Sequence, residues 1–204
     1  MLTEWFPIGI LSEDLQPDDS VYREMLSYVH RFHDRKGSIT GDVVNEKDLF
    51  LEDEFQWLNG QVSLHTKRYL DMYGSSGDVY VQKAWPVTSN RVYRHDHKNA
   101  HISAVYYLQS PDNDSGDLRI HIPESHPFKR LPINPDRYTH LSYDVATYKP
   151  NTNLLIIFPS SLQHEVEQYT GTAGRYSITY DLIIAATDKD NEMCMSKPSK
   201  WRKL

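Results

Sequence analysis

Tyr93-Arg94-His95-Asp96-His97 is the densest cluster of potential ligand groups in the chain. In an extended segment, side chains two residues apart project to the same side, so His95 and His97 point together. Two neutral imidazoles make half of a site for iron, zinc, copper or nickel. Read alone, two nearby histidines are more often surface or hydrogen-bonded core residues. A second cluster follows the apolar run Leu154-Leu155-Ile156-Ile157-Phe158, where Pro159-Ser160-Ser161-Leu162-Gln163 leads into His164. A histidine just past such a turn can supply a third ligand. Eleven residues further on, Arg175 opens Arg175-Tyr176-Ser177-Ile178-Thr179-Tyr180. Its planar fork suits bidentate binding of a carboxylate, and Ser177 on the same face adds a hydroxyl. The competing reading pairs Arg175 with an acid on a neighbouring strand.

The elements that position these residues follow from periodicity and punctuation. With 204 residues, 39% of them apolar and 25% charged, the chain is expected to form a single domain with a full core. Val21, Met25, Leu26, Val29 and Phe32 recur at helical spacing after Asp18-Asp19-Ser20, predicting a helix over 19–34. Leu51, Phe55, Leu58, Val62, Leu64, Tyr69, Leu70 and Tyr73 predict a second over 52–73. From Asp78 the texture changes to short β-branched and aromatic runs between Pro, Asn, Asp and Gly clusters. The expected strands are 78–86, 91–96, 101–109, 117–122, 141–148, 153–158, 164–169 and 174–185. The whole reads as mainly β with N-terminal helices: helical support over 1–77, a jelly roll or cupin-like double-stranded roll over 78–186, and a charged tail over 187–204. Alternation along 101–109 and 174–185 puts polar groups inside the roll and turns Tyr106 and Ile178 toward the outer packing layer. The loops 86–94 and 123–140, with the N-terminal helices as a further candidate, are the surfaces expected to choose a substrate.

Charge and composition narrow the partners. Twenty-two basic against 28 acidic side chains give a net charge of −6, so no nucleic acid partner is expected. No apolar run approaches the roughly 20 residues of a membrane span, and no secretory signal pattern opens the chain. Cys194 stands alone, which excludes an internal disulfide and fits a cytoplasmic setting.

The order of these features resembles the 2-oxoglutarate and Fe(II)-dependent oxygenases, in particular their short marine bacterial and phage members. The resemblance covers about residues 78–184. It is carried by His95-x-His97, His101 and Ile-Ser-Ala-Val-Tyr-Tyr-Leu over 102–108, then Ser115-Gly116-Asp117-Leu118. Leu-Leu-Ile-Ile-Phe-Pro-Ser-Ser-Leu-x-His164-x-Val and Arg175-x-Ser177 complete it. It implies a double-stranded β-helix whose Fe(II) is held by the first motif and by His164. It also implies 2-oxoglutarate as cosubstrate, its distal carboxylate on Arg175 with help from Ser177 and Tyr107. With O2, such enzymes convert 2-oxoglutarate to succinate and carbon dioxide while oxidising a second substrate, usually by hydroxylation. For this chain that substrate is expected to be a small molecule or a peptidyl side chain.

One position departs from the pattern. Most of the superfamily has His-x-Asp or His-x-Glu, whereas His97 stands two after His95. The expected ligand set is His95, His97 and His164, with Asp96 as the alternative middle ligand if a bulge turns it inward. A third arrangement leaves His97 beside the metal without binding it. Trp85, Tyr93 and Tyr107 are expected around the metal or in plain core, and His101 and Ser103 on the substrate side or in support. A three-histidine set also suits zinc, so a cupin-like metal enzyme without 2-oxoglutarate is the alternative. A jelly-roll binding module without catalysis is a second alternative.

Overall fold

The apolar spacing of the N-terminal third becomes two helices, α1 over Asp19–Lys36 and α2 over Gln56–Met72. The computed structural model describes residues 7–41, 48–110, 116–130, 132, 135–139, 141–186 and 197–202. Helix α1 buries Met25, Val29 and Phe32, and ends where Gly37, at φ +76°, donates its N–H to the His33 carbonyl. Asp18 holds the N-cap position in extended conformation but makes no side-chain capping bond. Helix α2 begins later than the periodicity predicts, because two 3-10 turns, Leu49–Leu51 and Asp53–Phe55, precede it. Leu51, Leu64 and Tyr73 are exposed rather than core. Val62 and Leu64 are two apart, and positions two apart cannot both face the core of a helix.

Nine strands are present among the described residues. They are β1 (Leu11–Asp14), β2 (Asp78–Val87), β3 (Val92–His95), β4 (Ile102–Gln109), β5 (Leu118–His121), β6 (Val145–Tyr148), β7 (Leu154–Pro159), β8 (His164–Val166) and β9 (Tyr176–Ala185). They form two antiparallel sheets, ordered β1-β7-β4-β9-β2 and β3-β8-β5-β6. The fold is the double-stranded β-helix expected from the sequence. Strand β1 had no sequence signal, since Leu-Ser-Glu-Asp does not alternate; it lies along the edge of β7. The strand expected to start at 141 starts at 145, after a turn in which Ser142 donates its N–H to the Thr139 carbonyl.

The larger sheet is buried on both faces, which explains why β4 and β7 read as continuous apolar runs. Its outer face, with Tyr106, Ile157 and Ile178, packs on Met25, Val29, Phe55, Leu58 and Val62 of the helical layer. Its inner face, with Val105, Tyr107, Ile156 and Phe158, meets Leu118, Ile120 and Val166 of the smaller sheet. Each fully buried Leu, Ile or Phe contributes about 1.5–3 kcal/mol. The connection between β5 and β6 hangs from the end of the smaller sheet at which His164 lies, because Ile120 pairs with His164. Glu124 ties this connection to the strand beside His95, accepting from Arg94 Nη2 at 3.3 Å and from Lys129 Nζ at 2.9 Å. Residues 131, 133–134 and 140 of the loop expected over 123–140, and 187–196 and 203–204 of the expected tail, lie outside the described residues; within the tail, Pro198–Lys200 forms a 3-10 turn and Trp201 is half-exposed. Among the described residues no helix is long and apolar enough to cross a membrane.

Candidate active site

Strands β3 and β8 set His95 directly opposite His164, and His97 follows just beyond the end of β3. The ring nitrogens that the three histidines offer lie within 4.8 Å of one another. His95 Nε2 and His97 Nε2 are 3.1 Å apart. Each Nδ1 is occupied on the far side of its ring. His95 Nδ1 lies 2.7 Å from the Tyr93 carbonyl, His164 Nδ1 lies 3.0 Å from the Leu162 carbonyl, and His97 Nδ1 contacts Asp181 Oδ1. Since these partners only accept, each Nδ1 carries the hydrogen and each Nε2 presents a lone pair to the centre. Lone pairs at this separation repel unless a cation lies between them. Two donors at right angles around one metal, each at roughly 2.1 Å, would stand about 3 Å apart. Burial also lowers the pKa of His95, and it holds His164 down to about 3. Both are neutral near pH 7, as metal ligation requires. The donor set fits a divalent metal ion.

Deeper in the roll, the inward face of β9 runs from Asp181 through Thr179 and Ser177, with Arg175 just ahead of the strand. The register sets Lys83, Asp181 and Ser103 in one row, Trp85, Thr179 and Val105 in the next, and Val87, Ser177 and Tyr107 in the third. A small cavity is lined by the three histidines, Trp85, Val105, Tyr107, Leu118, Arg175, Ser177 and Thr179, among others. Arg175 is only 1% exposed, yet its Nε, Nη1 and Nη2 have no hydrogen-bond partner among the described residues. The acid that the sequence reading offered as its competing partner is absent there. Its guanidinium stands 5.1 Å from the Tyr107 ring centroid, a cation–π contact, and the Tyr107 hydroxyl also has no hydrogen-bond partner within normal distance among the described residues. Burial raises the Tyr107 pKa against the opposing effect of Arg175, so the phenol stays a neutral donor. A buried, unsatisfied guanidinium is unfavourable by itself. Three charged donors, a phenol and a serine hydroxyl around one cavity fit an anion with a carboxylate terminus.

Gly116 lets the backbone pass close to this arginine. At φ +84°, an added Cβ would lie 3.3 Å from Arg175 Cδ and Nε and 3.2 Å from Tyr169 Cβ. Gly116→Ala is therefore expected to destabilise the fold by about 1 kcal/mol or more, because the left-handed conformation disfavours a side chain. It should also weaken carboxylate binding by displacing the guanidinium; urea unfolding and 2-oxoglutarate titration report the two effects separately.

Several residues expected at the site are placed elsewhere. Tyr93 is 73% exposed, with its ring under Arg91 at 4.7 Å. Simple alternation would put Tyr93 and His95 on one face. The pairing of Val92 with Val166 and of His95 with His164 spans three steps on β3 against two on β8, a bulge that turns Val92 and His95 inward and Tyr93 outward. Asp96 stays outside the three-histidine cluster and binds Lys98 Nζ at 3.0 Å. His101 is exposed and accepts the Ile184 N–H at 3.0 Å. Ser103 is buried, but its hydroxyl is 2.9 Å from that of Ser160 and it does not line the cavity. Trp85 does line it, stacked 5.8 Å from the His97 ring. Asp181 was missed, as was Thr40, which reaches the cavity from the segment after α1. Stepping two residues at a time from Arg175 reaches Asp181, so alternation held the signal for one; Thr40 had none.

The comparisons with known proteins agree with this architecture. The model of a family described as "Putative 2OG-Fe(II) oxygenase" matches residues 83–181, a stretch containing all three histidines and Arg175. No curated protein sequence matches the chain. Among solved structures, AviO1 from Streptomyces viridochromogenes Tue57 superposes with a TM-score of 0.59 at 11% identity, over 86% of this chain and 90% of its own. The α-ketoglutarate-dependent epimerase SnoN of nogalamycin biosynthesis gives 0.62 at 12%, over 87% and 79%. A Trichoplax adhaerens prolyl hydroxylase, solved with a hypoxia-inducible factor peptide fragment, gives 0.54 at 18%, over 86% and 83%. At these identities the superpositions speak for the fold.

Proposed function

We propose that the chain is a 2-oxoglutarate and Fe(II)-dependent oxygenase, that His95, His97 and His164 hold the iron and that Arg175, Ser177 and Tyr107 hold the distal carboxylate of 2-oxoglutarate. Bound iron in this family supplies the activation of O2 that couples decarboxylation of 2-oxoglutarate to oxidation of a second substrate. The chain's own part is to bind and orient. The guanidinium anchors one end of the cosubstrate, so that its other end is directed toward the histidines. Ser177 and Tyr107 add neutral donors that cost no charge burial. Trp85, Val105, Leu118 and Val166 keep the walls apolar, which strengthens the ionic contact by excluding water. A set of only three protein ligands would suit an iron that must also accept a cosubstrate.

The single observation that carries this reading is the buried guanidinium with no hydrogen-bond partner among the described residues, lining the same cavity as three converging imidazoles. Anaerobic addition of Fe(II) and 2-oxoglutarate is expected to give a weak visible charge-transfer band, and oxygen is expected to yield succinate. Absence of both refutes the reading. Tight stoichiometric zinc with no response to iron or 2-oxoglutarate would instead favour the hydrolytic alternative that a three-histidine set permits. The second substrate is a small molecule or a peptidyl side chain. The nearby folds act in both settings: SnoN belongs to nogalamycin biosynthesis, and the Trichoplax enzyme was solved with a peptide. The tether of Glu124 to Arg94, next to His95, supports the reading that the connection between β5 and β6 selects it.

A further inference from the structure

Asp181 takes no part in the assignments above, yet it is 3% exposed in a mostly apolar strand. A carboxylate at that depth is costly unless another group answers its charge. Its Oδ1 accepts the His97 Nδ1–H, and its Oδ2 lies 3.6 Å from Lys83 Nζ. Lys83 is more than one-third exposed and also stands 4.5 Å over the Trp85 ring, so its charge is shared and partly given to solvent. The three histidines are thus not equivalent. His95 and His164 donate their Nδ1–H to neutral carbonyls of their own strand segments, whereas His97 donates to an anion delivered by another strand. Three neutral imidazoles bring no charge to set against a divalent cation.

Resting on the reading of these histidines as a metal site, we propose that Asp181 is its positioning residue. It supplies, one hydrogen bond outside the ligands, the negative charge that the three-histidine set lacks. The contact fixes the His97 ring with Nε2 toward the centre and makes that nitrogen the strongest donor of the three. Trp85, stacked on the His97 ring, limits ring rotation from the other side.

Titration of the metal-free protein with Co(II), followed by its visible absorption, and competition of Co(II) by Fe(II) under anaerobic conditions test the role. Asp181→Asn keeps an oxygen that can accept from Nδ1 and removes the charge. It should weaken Co(II) binding about 10–100-fold and shift the Co(II) absorption band, with the fold retained by circular dichroism. A lower melting temperature with unaltered Co(II) affinity and spectrum would make Asp181 only an ion-pair partner of Lys83, and would overturn the proposal while leaving the metal site standing. Wild-type protein that binds neither Co(II) nor Fe(II) would overturn the metal site and this role together. Should Asp181→Asn fail to fold, Lys83→Met at the surface carries the same question. Removing the opposing cation should tighten Co(II) binding a few-fold, and unchanged or weaker binding would overturn the role.

Discussion

Arg175→Met is expected to abolish 2-oxoglutarate binding while making the ligand-free protein more resistant to heat. In the free protein the guanidinium is buried without a hydrogen-bond partner among the described residues, and its aromatic neighbour Tyr107 offsets only part of the cost of desolvation. Replacing buried charge with an apolar chain of similar volume is commonly neutral or stabilising by about 1–4 kcal/mol. A gain of that size would raise the melting temperature by several degrees in a chain of this length. The opposite sign applies to the cosubstrate. Each hydrogen bond to a charged group contributes about 1.5–3 kcal/mol, so loss of a bidentate contact should lower affinity by more than about 100-fold. Melting curves with and without 2-oxoglutarate measure both effects: wild type should gain stability from the ligand and the variant should not. Arg175→Lys should recover little, because a point charge cannot reproduce the fork. A variant that melts lower than wild type and still binds 2-oxoglutarate would make Arg175 a structural residue.

His164→Ala is expected to remove metal binding at working concentrations and, with it, the charge-transfer band and succinate formation. The loss should exceed the roughly 10–100-fold that removal of an outer hydrogen-bond partner brings, because a donor itself is deleted. The same substitution should change the acid sensitivity of the metal-free protein. Burial holds His164 to about 3 in the fold, below the ordinary value of 6.5. As pH falls, the unfolded chain takes up this proton first, so the linked stability is whole above about pH 6.5 and is lost progressively toward pH 3. Its upper limit is about 4–5 kcal/mol for a single group shifted this far. The variant should therefore start less stable, having lost buried contacts, and decline less steeply between pH 6.5 and 4. An unchanged slope in urea unfolding across that range would show that the ring is not held neutral by burial.

The positions of the core elements were readable because local patterns and tertiary demands agree there. Val21 to Phe32 repeat at helical spacing, and the structure buries Met25, Val29 and Phe32. Runs such as Leu154 to Phe158 are apolar without interruption because the larger sheet is covered by helices on one face and by the smaller sheet on the other. The same agreement placed Tyr106 and Ile178 toward the helices and Tyr107 toward the interior. Alternation failed where the backbone departs from the regular pleat. The bulge in β3 sent Tyr93 to solvent, and two 3-10 turns delayed the start of α2.

Residue types and their separations by themselves determined the chemistry available: imidazoles at 95, 97 and 164 and a guanidinium at 175, set on short strands after two helices. Strand alternation follows from the two-residue repeat of the backbone, so a linear string already reports which side chains share a face. Only the tertiary structure decided which faces meet. Cross-strand register set His95 opposite His164, brought Asp181 from the last strand to the back of His97, and left Arg175 beside the cavity without a counter-ion among the described residues. Those contacts join residues up to 84 positions apart. Nothing local encodes them, because register across two sheets is set by how all the buried faces pack at once.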